Sequence, residues 1–366
     1  MVSEQSETIT CRPSQLPLVL QYVWLTGRVP LIKGAPGIAK TQIHYQVGAA
    51  LGMRVVPYRL AQRDATAFGI PVPDLERGLV RWMADELWPT EPVIIFLDEL
   101  NRAPMLIQNM AFQLIEEGRI GNLTLPPGTY ISAAVNRDTD RGVIPMPEAL
   151  NNRFVNVTLV HDLEDWSRWA VNGEPQPIRI IERKPTTPGI HMSVVGYLRM
   201  RPENAHRFPA RGTPEALEPA WPSYRSWEFL SDLVKQDPPD EILRIVAAGC
   251  VGTPVAVDYL GYLAAYRSLT AVSIDALMLA PDTYPVPDAA EGGLLYALAS
   301  VLSQRADDMN IDRVLTYLER MPSEEYSTFA VTMARARTVR TDGTSPLDST
   351  PAFQRWAINH PETRGA

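Results

Sequence analysis

The apolar positions fall into two regimes. Up to about residue 160 they come as short continuous runs that alternate with stretches of helical spacing. Beyond that they recur at helical spacing alone. The clearest run is Val93-Ile94-Ile95-Phe96-Leu97, closed by Asp98-Glu99. A continuous apolar run of this length predicts a strand buried on both faces, as in a parallel sheet. Further strands are expected at 29–33, 55–60, 130–136 and 154–159. Between them lie expected helices: 14–27 closed by Gly27, 42–51, 104–117 closed by Gly118, and a short one at 147–152. Residues 61–83 read as irregular, with an extended piece at 78–82, and 119–128 as a β-hairpin with glycine and proline turns. Strands alternating with helices predict an α/β core around a parallel sheet.

The second regime predicts helices at 162–171, 225–235, 240–250, 254–268, 291–305 and 311–320. Residues 175–190 read as a linker or long loop, and 340–352 as a poorly ordered stretch. The expected organisation is therefore an α/β domain at 1–160, a connecting region at 161–224, a helical domain at 225–338 and a tail at 339–366.

Composition narrows the function classes. The chain has 366 residues, enough for two domains. Apolar residues at 45% and charged residues at 21% are ordinary for a globular protein. A net charge of −8 disfavours a generic nucleic-acid or anionic-membrane surface. Two distant cysteines, Cys11 and Cys250, give neither a disulfide framework nor a zinc spacing. Met1-Val2-Ser3-Glu4-Gln5 lacks the regions of a signal peptide, and no apolar run has membrane-spanning length, so a cytoplasmic protein is expected. Prolines cluster at 202–222 and 275–287, read as connections. The five histidines lack ligand spacing, and the tryptophans at 82, 88, 166, 169, 221 and 227 read as core or interface residues.

Candidate chemistry begins at Gly34-Ala35-Pro36-Gly37-Ile38-Ala39-Lys40-Thr41, between an expected strand and an expected helix. Backbone N–H groups at a helix N-terminus suit a phosphate, and the helix dipole favours its charge. Lys40 would neutralise the β- and γ-phosphates, and the Thr41 hydroxyl would ligate magnesium. Ala39 stands where the pattern G-x-x-x-x-G-K-[ST] has its last glycine. The alternative is a turn followed by a lysine and a threonine. Asp98 and Glu99, ending a buried strand, would sit at the mouth of a parallel sheet, where ligands bind. Asp98 would hold magnesium and Glu99 would polarise the attacking water; the alternative is an acidic strand end and a turn. Asn136 ends the next strand and would help hold that water, or else belongs to a turn formed with Arg137, Asp138, Thr139 and Asp140.

Taken in order, this loop, then Leu97-Asp98-Glu99-Leu100-Asn101-Arg102-Ala103-Pro104, Gln113-Leu114-Ile115-Glu116-Glu117-Gly118-Arg119-Ile120, Ala134-Val135-Asn136-Arg137 and Met146-Pro147-Glu148-Ala149-Leu150-Asn151-Asn152-Arg153-Phe154 resemble the MoxR-type branch of the AAA+ ATPases. The resemblance covers roughly residues 15–235. It implies a P-loop NTPase core followed by an all-helical lid, with ATP and Mg2+ as cofactors. It assigns Lys40 and Thr41 to Walker A, Asp98 and Glu99 to Walker B and Asn136 to sensor 1. Arg153 becomes an arginine finger that reaches a neighbouring subunit, and Arg225, in Trp221-Pro222-Ser223-Tyr224-Arg225-Ser226-Trp227-Glu228, the sensor 2 arginine. The hairpin at 119–128 matches a pre-sensor-1 insertion, and the loop near Phe68-Gly69-Ile70-Pro71 falls where a helix-2 insertion is expected. Arg102, Arg137 and Arg141 are also near the site in sequence. The implied function is a chaperone-like ATPase, working as a homo-oligomeric, hexameric ring on a protein client, with a von Willebrand factor A domain protein as partner. An ATP-gated switch with slow hydrolysis is the alternative, favoured by Ala39. A nucleic-acid motor is disfavoured by the acidic balance.

Overall fold

The computed structural model describes residues 8–360 except 64, 65, 67, 138, 139, 141, 145, 174–176, 211, 212, 214–217 and 272. The chain divides into two units, 1–188 with 206–256, and 189–205 with 257–366.

The first unit is built on five parallel strands: β1 (Val29–Lys33), β2 (Val55–Arg59), β5 (Ile94–Asp98), β8 (Tyr130–Val135) and β9 (Phe154–Thr158), in the order β2-β5-β8-β1-β9. All of Ile94 to Leu97 are fully buried, as their unbroken apolar run requires of a strand covered on both faces. Helices α1 (Leu16–Leu25), α2 (Lys40–Leu51) and α3 (Met105–Glu117) belong to this unit. Register is what positions the site. Leu31 pairs with Ala133, Ala133 with Leu97, and Arg59 with Asp98. The C-terminal ends of β1, β5 and β8 therefore lie level at one edge of the sheet.

Two elements depart from expectation. Residues 69–84, read largely as irregular, form an antiparallel hairpin of β3 (Gly69–Asp74) and β4 (Leu79–Ala84). Its Pro71 and Pro73 hide a strand from a sequence reading, and an isolated two-stranded ribbon tolerates them. The expected short hairpin is present as β6 (Arg119–Ile120) and β7 (Leu123–Thr124). α4 (Glu148–Asn151) leads into β9 and α5 (Leu163–Asn172) follows it.

The expected start of the helical domain at 225 is also corrected. After α6 (Met192–Met200), helices α7 (Tyr224–Lys235) and α8 (Asp240–Val251) belong to the α/β unit. α8 lies so close to β9 that a Cβ at Gly249 would collide with the Asn156 carbonyl. Arg28, just before β1, pairs with Glu228 at 2.9 Å and Asp232 at 2.8 Å, and stacks on Phe229 at 4.3 Å.

The second unit is all helical. It holds α6, most of α9 (Thr253–Ala271), α10 (Ser273–Leu279), α11 (Gly292–Arg305), α12 (Ile311–Leu318), α13 (Glu324–Thr338) and α14 (Pro351–Asn359). The stretch 340–352, expected to be poorly ordered, is folded in part, with a helical turn at Pro346–Ser349 and the start of α14. Asp348 pairs with Arg335 at 2.9 Å, and α14 buries Phe353 and Trp356. No helix of the described residues is long and apolar enough to cross a membrane.

Candidate active site

The loop after β1 turns sharply because Gly34 has no side chain: a Cβ there would meet Ile38 Cδ1 at 2.6 Å and the Leu159 carbonyl at 2.7 Å. Gly37 takes φ +80°, and Ala39 is left-handed too, at φ +66° and ψ +20°. That is the backbone conformation glycine adopts without cost, which explains why the motif ordinarily places one there. α2 begins at the next residue, so Lys40 and Thr41 open its first turn. Lys40 is buried, and its Nζ donates to the carbonyls of Gly34 (2.7 Å) and Ala35 (3.2 Å). Burial pushes its amine below the ordinary value, against the opposing pull of Asp98, Asp140 and Glu99. One turn on, His44 is fully buried, donates from Nδ1 to the Lys40 carbonyl at 2.7 Å and stacks on Phe96 at 4.1 Å.

Across the sheet edge, the Thr41 hydroxyl donates to Asp98 Oδ2 at 3.4 Å. Burial, reinforced by the charge of Glu99, raises the Asp98 carboxyl. Glu99 holds φ +57°, a left-handed conformation uncommon for a residue with a side chain, and its N–H donates to Asp98 Oδ1 at 3.0 Å. Its carboxylate pairs with Arg102 at 3.1 Å. Backbone strain of this kind clusters where a side chain must be aimed. Asn136 is buried at the end of β8. Asn101 grips it twice: its amide donates to the Asn136 carbonyl at 2.9 Å, and its oxygen accepts from the Asn136 N–H at 3.1 Å. Sequence reasoning gave Asn101 no role. Arg137 pairs with Asp140 at 3.0 Å, and both act on the Lys40 charge. Arg141 lies outside the described residues.

Gly34 to Thr41, Asp98, Glu99 and Asn136 are thus gathered at one end of the sheet. Arg153 is not with them. It precedes β9, whose Phe154 pairs with Val29 at the start of β1, while Thr158 pairs with Lys33 at its end. Five residues of parallel strand separate it from the loop, a rise of about 16 Å. α3 returns the chain over a similar length, about 20 Å, and brings Glu116 to the same end. Glu116 bonds to Arg153 Nε and lies 3.7 Å from Arg225. The two arginines expected around a γ-phosphate therefore share Glu116, at the end of the sheet opposite Gly34 to Thr41.

Beside the loop is a cavity of about 660 Å³. Gly37, Ile38 and Ala39 line it with Pro17, Trp166 and Trp169. The two tryptophans are 59% and 49% exposed, so of the core or interface places expected for them the core is excluded.

No family model matches the chain. Over 133 residues it is 29% identical to "Chaperone MoxR1" of Mycobacterium tuberculosis, a stretch that covers 34% of each protein. The chain is similar to the MoxR-type AAA+ ATPases. It spans about a third of that curated relative's length. Among solved structures, a candidate ATPase of Cytophaga hutchinsonii aligns over 68% of this chain and 88% of its own, at 18% identity and a TM-score of 0.45.

Proposed function

We propose that this chain is a MoxR-like ATPase that hydrolyses ATP to ADP and phosphate. One observation carries the reading. A lysine, a threonine paired with an aspartate, a strained glutamate and a buried asparagine converge on a loop that opens a helix. The residues fit the cofactors. Lys40 lies against carbonyls of its own loop, which a phosphate would replace with a charged acceptor. Thr41 and Asp98 are oxygen donors side by side, the set a hard cation takes, and would hold magnesium. That ion would neutralise charge building on the phosphate oxygens. Glu99 would orient the attacking water and Asn136 would hold it. The adenosine would occupy the cavity beside Ala39, its base against Trp166 and Trp169.

Arg153 and Arg225 are too far along the sheet to serve this nucleotide, so their target is the γ-phosphate held by a second copy. This favours a homo-oligomeric ring, hexameric by resemblance, which works in the cytoplasm on a protein client alongside a von Willebrand factor A domain protein. The test is steady-state turnover of the purified chain with ATP and magnesium. Glu99→Gln should retain ATP binding and lose turnover by about 10²–10⁴-fold, the usual worth of a positioned base. Unchanged turnover removes Glu99 from the mechanism.

Two observations favour a second reading, a nucleotide-gated switch that turns over slowly: the left-handed Ala39 and the pairing of Glu99 with Arg102. Tight ATP binding with turnover indistinguishable from that of Glu99→Gln would select it.

A further inference from the structure

Glu116 sits near the end of α3, and its two oxygens face different arginines. Oε2 accepts from Nε of Arg153, and Oε1 lies 3.7 Å from Nη2 of Arg225. The arginines come from separate segments, the turn between α4 and β9 and the first turn of α7. Both guanidiniums are charged at any physiological pH. Side by side they would repel; with one carboxylate between them they form a cluster of net charge +1. The remaining contacts of Arg153 fix its plane. Nη1 donates to the Ala149 carbonyl at 2.6 Å, and the guanidinium stacks on Phe112 at 3.9 Å. Its Nη2 makes no hydrogen bond among the described residues, and Arg225 is more than a third exposed. The Arg153 side chain is itself only 15% exposed, so the solvent-facing part of the cluster is that of Arg225 and Glu116.

We propose that Glu116 is the positioning residue that sets Arg153 and Arg225 as a pair for the γ-phosphate of ATP bound to a second copy of this chain. The proposal rests on the ATPase reading above. Glu116 does not touch the nucleotide. It acts by holding two like charges within reach of one phosphate, so its effect belongs in kcat and not in ATP affinity.

The test is ATPase kinetics on the full chain with Glu116→Gln, which keeps the shape and removes the charge. Misplacing a catalytic group by about 1 Å costs on the order of 100-fold, and that loss in kcat is expected, with KM for ATP changed by no more than about twofold. Arg153→Ala alone should lose about 10³-fold or more, and Glu116→Gln added to a chain that carries both Arg153→Ala and Arg225→Ala should slow it no further. Non-additivity marks a residue acting through another; a merely structural Glu116 would slow both backgrounds by the same factor. Glu116→Asp, which keeps the charge one methylene short, should lose about tenfold, again only when the two arginines are present. It decides the matter if the glutamine variant does not fold. Wild-type kcat in Glu116→Gln together with a slow Arg153→Ala overturns this proposal alone. Wild-type kcat in Arg153→Ala overturns the intersubunit reading and this proposal with it.

Discussion

Replacing Ala39 by glycine separates two consequences of the one departure in the phosphate loop. The first is strain. A residue with a Cβ in the left-handed region carries about 1–2 kcal/mol, and Ala39 sits there at φ +66° and ψ +20°. Glycine removes that cost but loosens the unfolded chain, which returns about 0.4–1 kcal/mol. The expected net gain is about 0.5–1 kcal/mol, a rise of about 1–4 °C in Tm for a unit of this size. Ala39→Val should move the other way, because a β-branched residue fits this conformation worse. The second consequence is contact. Ala39 is exposed at the edge of the 660 Å³ cavity, so its methyl faces the space where a nucleotide would lie. Strain present both before and after binding cancels from the affinity. A change in Kd beyond about twofold therefore reports the methyl against the phosphates. Thermal unfolding monitored by circular dichroism reads the first effect, and titration with a fluorescent ATP analogue reads the second. A glycine variant with an unchanged or lower Tm, or a valine variant as stable as the parent, would refute the argument.

Asn101→Ala strips both hydrogen bonds from the backbone of buried Asn136, at about 1–3 kcal/mol for each group left unpaired; denaturant unfolding should show a loss of about 2–4 kcal/mol, and undiminished stability would count against the clamp. His44 is buried and its pKa drops from 6.5 to about 4. The folded state therefore binds fewer protons than the unfolded one between those values, so stability is intact above 6.5 and falls as pH drops toward 4, by about 3 kcal/mol. His44→Phe should flatten that window in pH-dependent melts. Trp166→Ala with Trp169→Ala should weaken ATP binding roughly tenfold, the scale of one lost base stack, and leave tripolyphosphate binding unchanged; equal weakening of both ligands would place the tryptophans outside the base site.

The sheet was legible because its strands are buried on both faces. An unbroken run such as Val93 to Leu97 has few other places to go. The phosphate end of the site was legible for the same reason: the strands end where the carboxylates and Asn136 begin. The boundary of the helical domain was not. Periodicity shows that α7 and α8 have an apolar face, but it does not say what covers it. Gly249 against Asn156 and Arg28 against Glu228 are contacts between segments far apart in the chain. α6, α10, α13 and α14 escaped for a related reason, being short or interrupted by polar residues whose partners lie elsewhere. Asn101 and Glu116 could have been found only by asking which residue satisfies Asn136 and what separates Arg153 from Arg225. Both questions need the fold.

Magnitudes decide which feature would set the rate. Two contacts stand between this arrangement and hydrolysis at its own loop. Lys40 bonds to carbonyls of that loop, and a phosphate offers a stronger, charged acceptor in their place. Glu99 pairs with Arg102, but both side chains are about a third exposed, and such pairs are worth about 1 kcal/mol or less. Breaking that pair costs less than about tenfold in rate. The strain at Ala39 is of similar size. An arginine supplied to the γ-phosphate is worth about 10³–10⁵-fold, and no small local contact offsets its absence. Arg153 and Arg225 lie at the wrong end of the sheet to act on their own nucleotide. On the proposed function, whether this chain behaves as a slow switch or a working ATPase is thus governed less by the unusual loop than by whether a second copy brings its arginine pair to it.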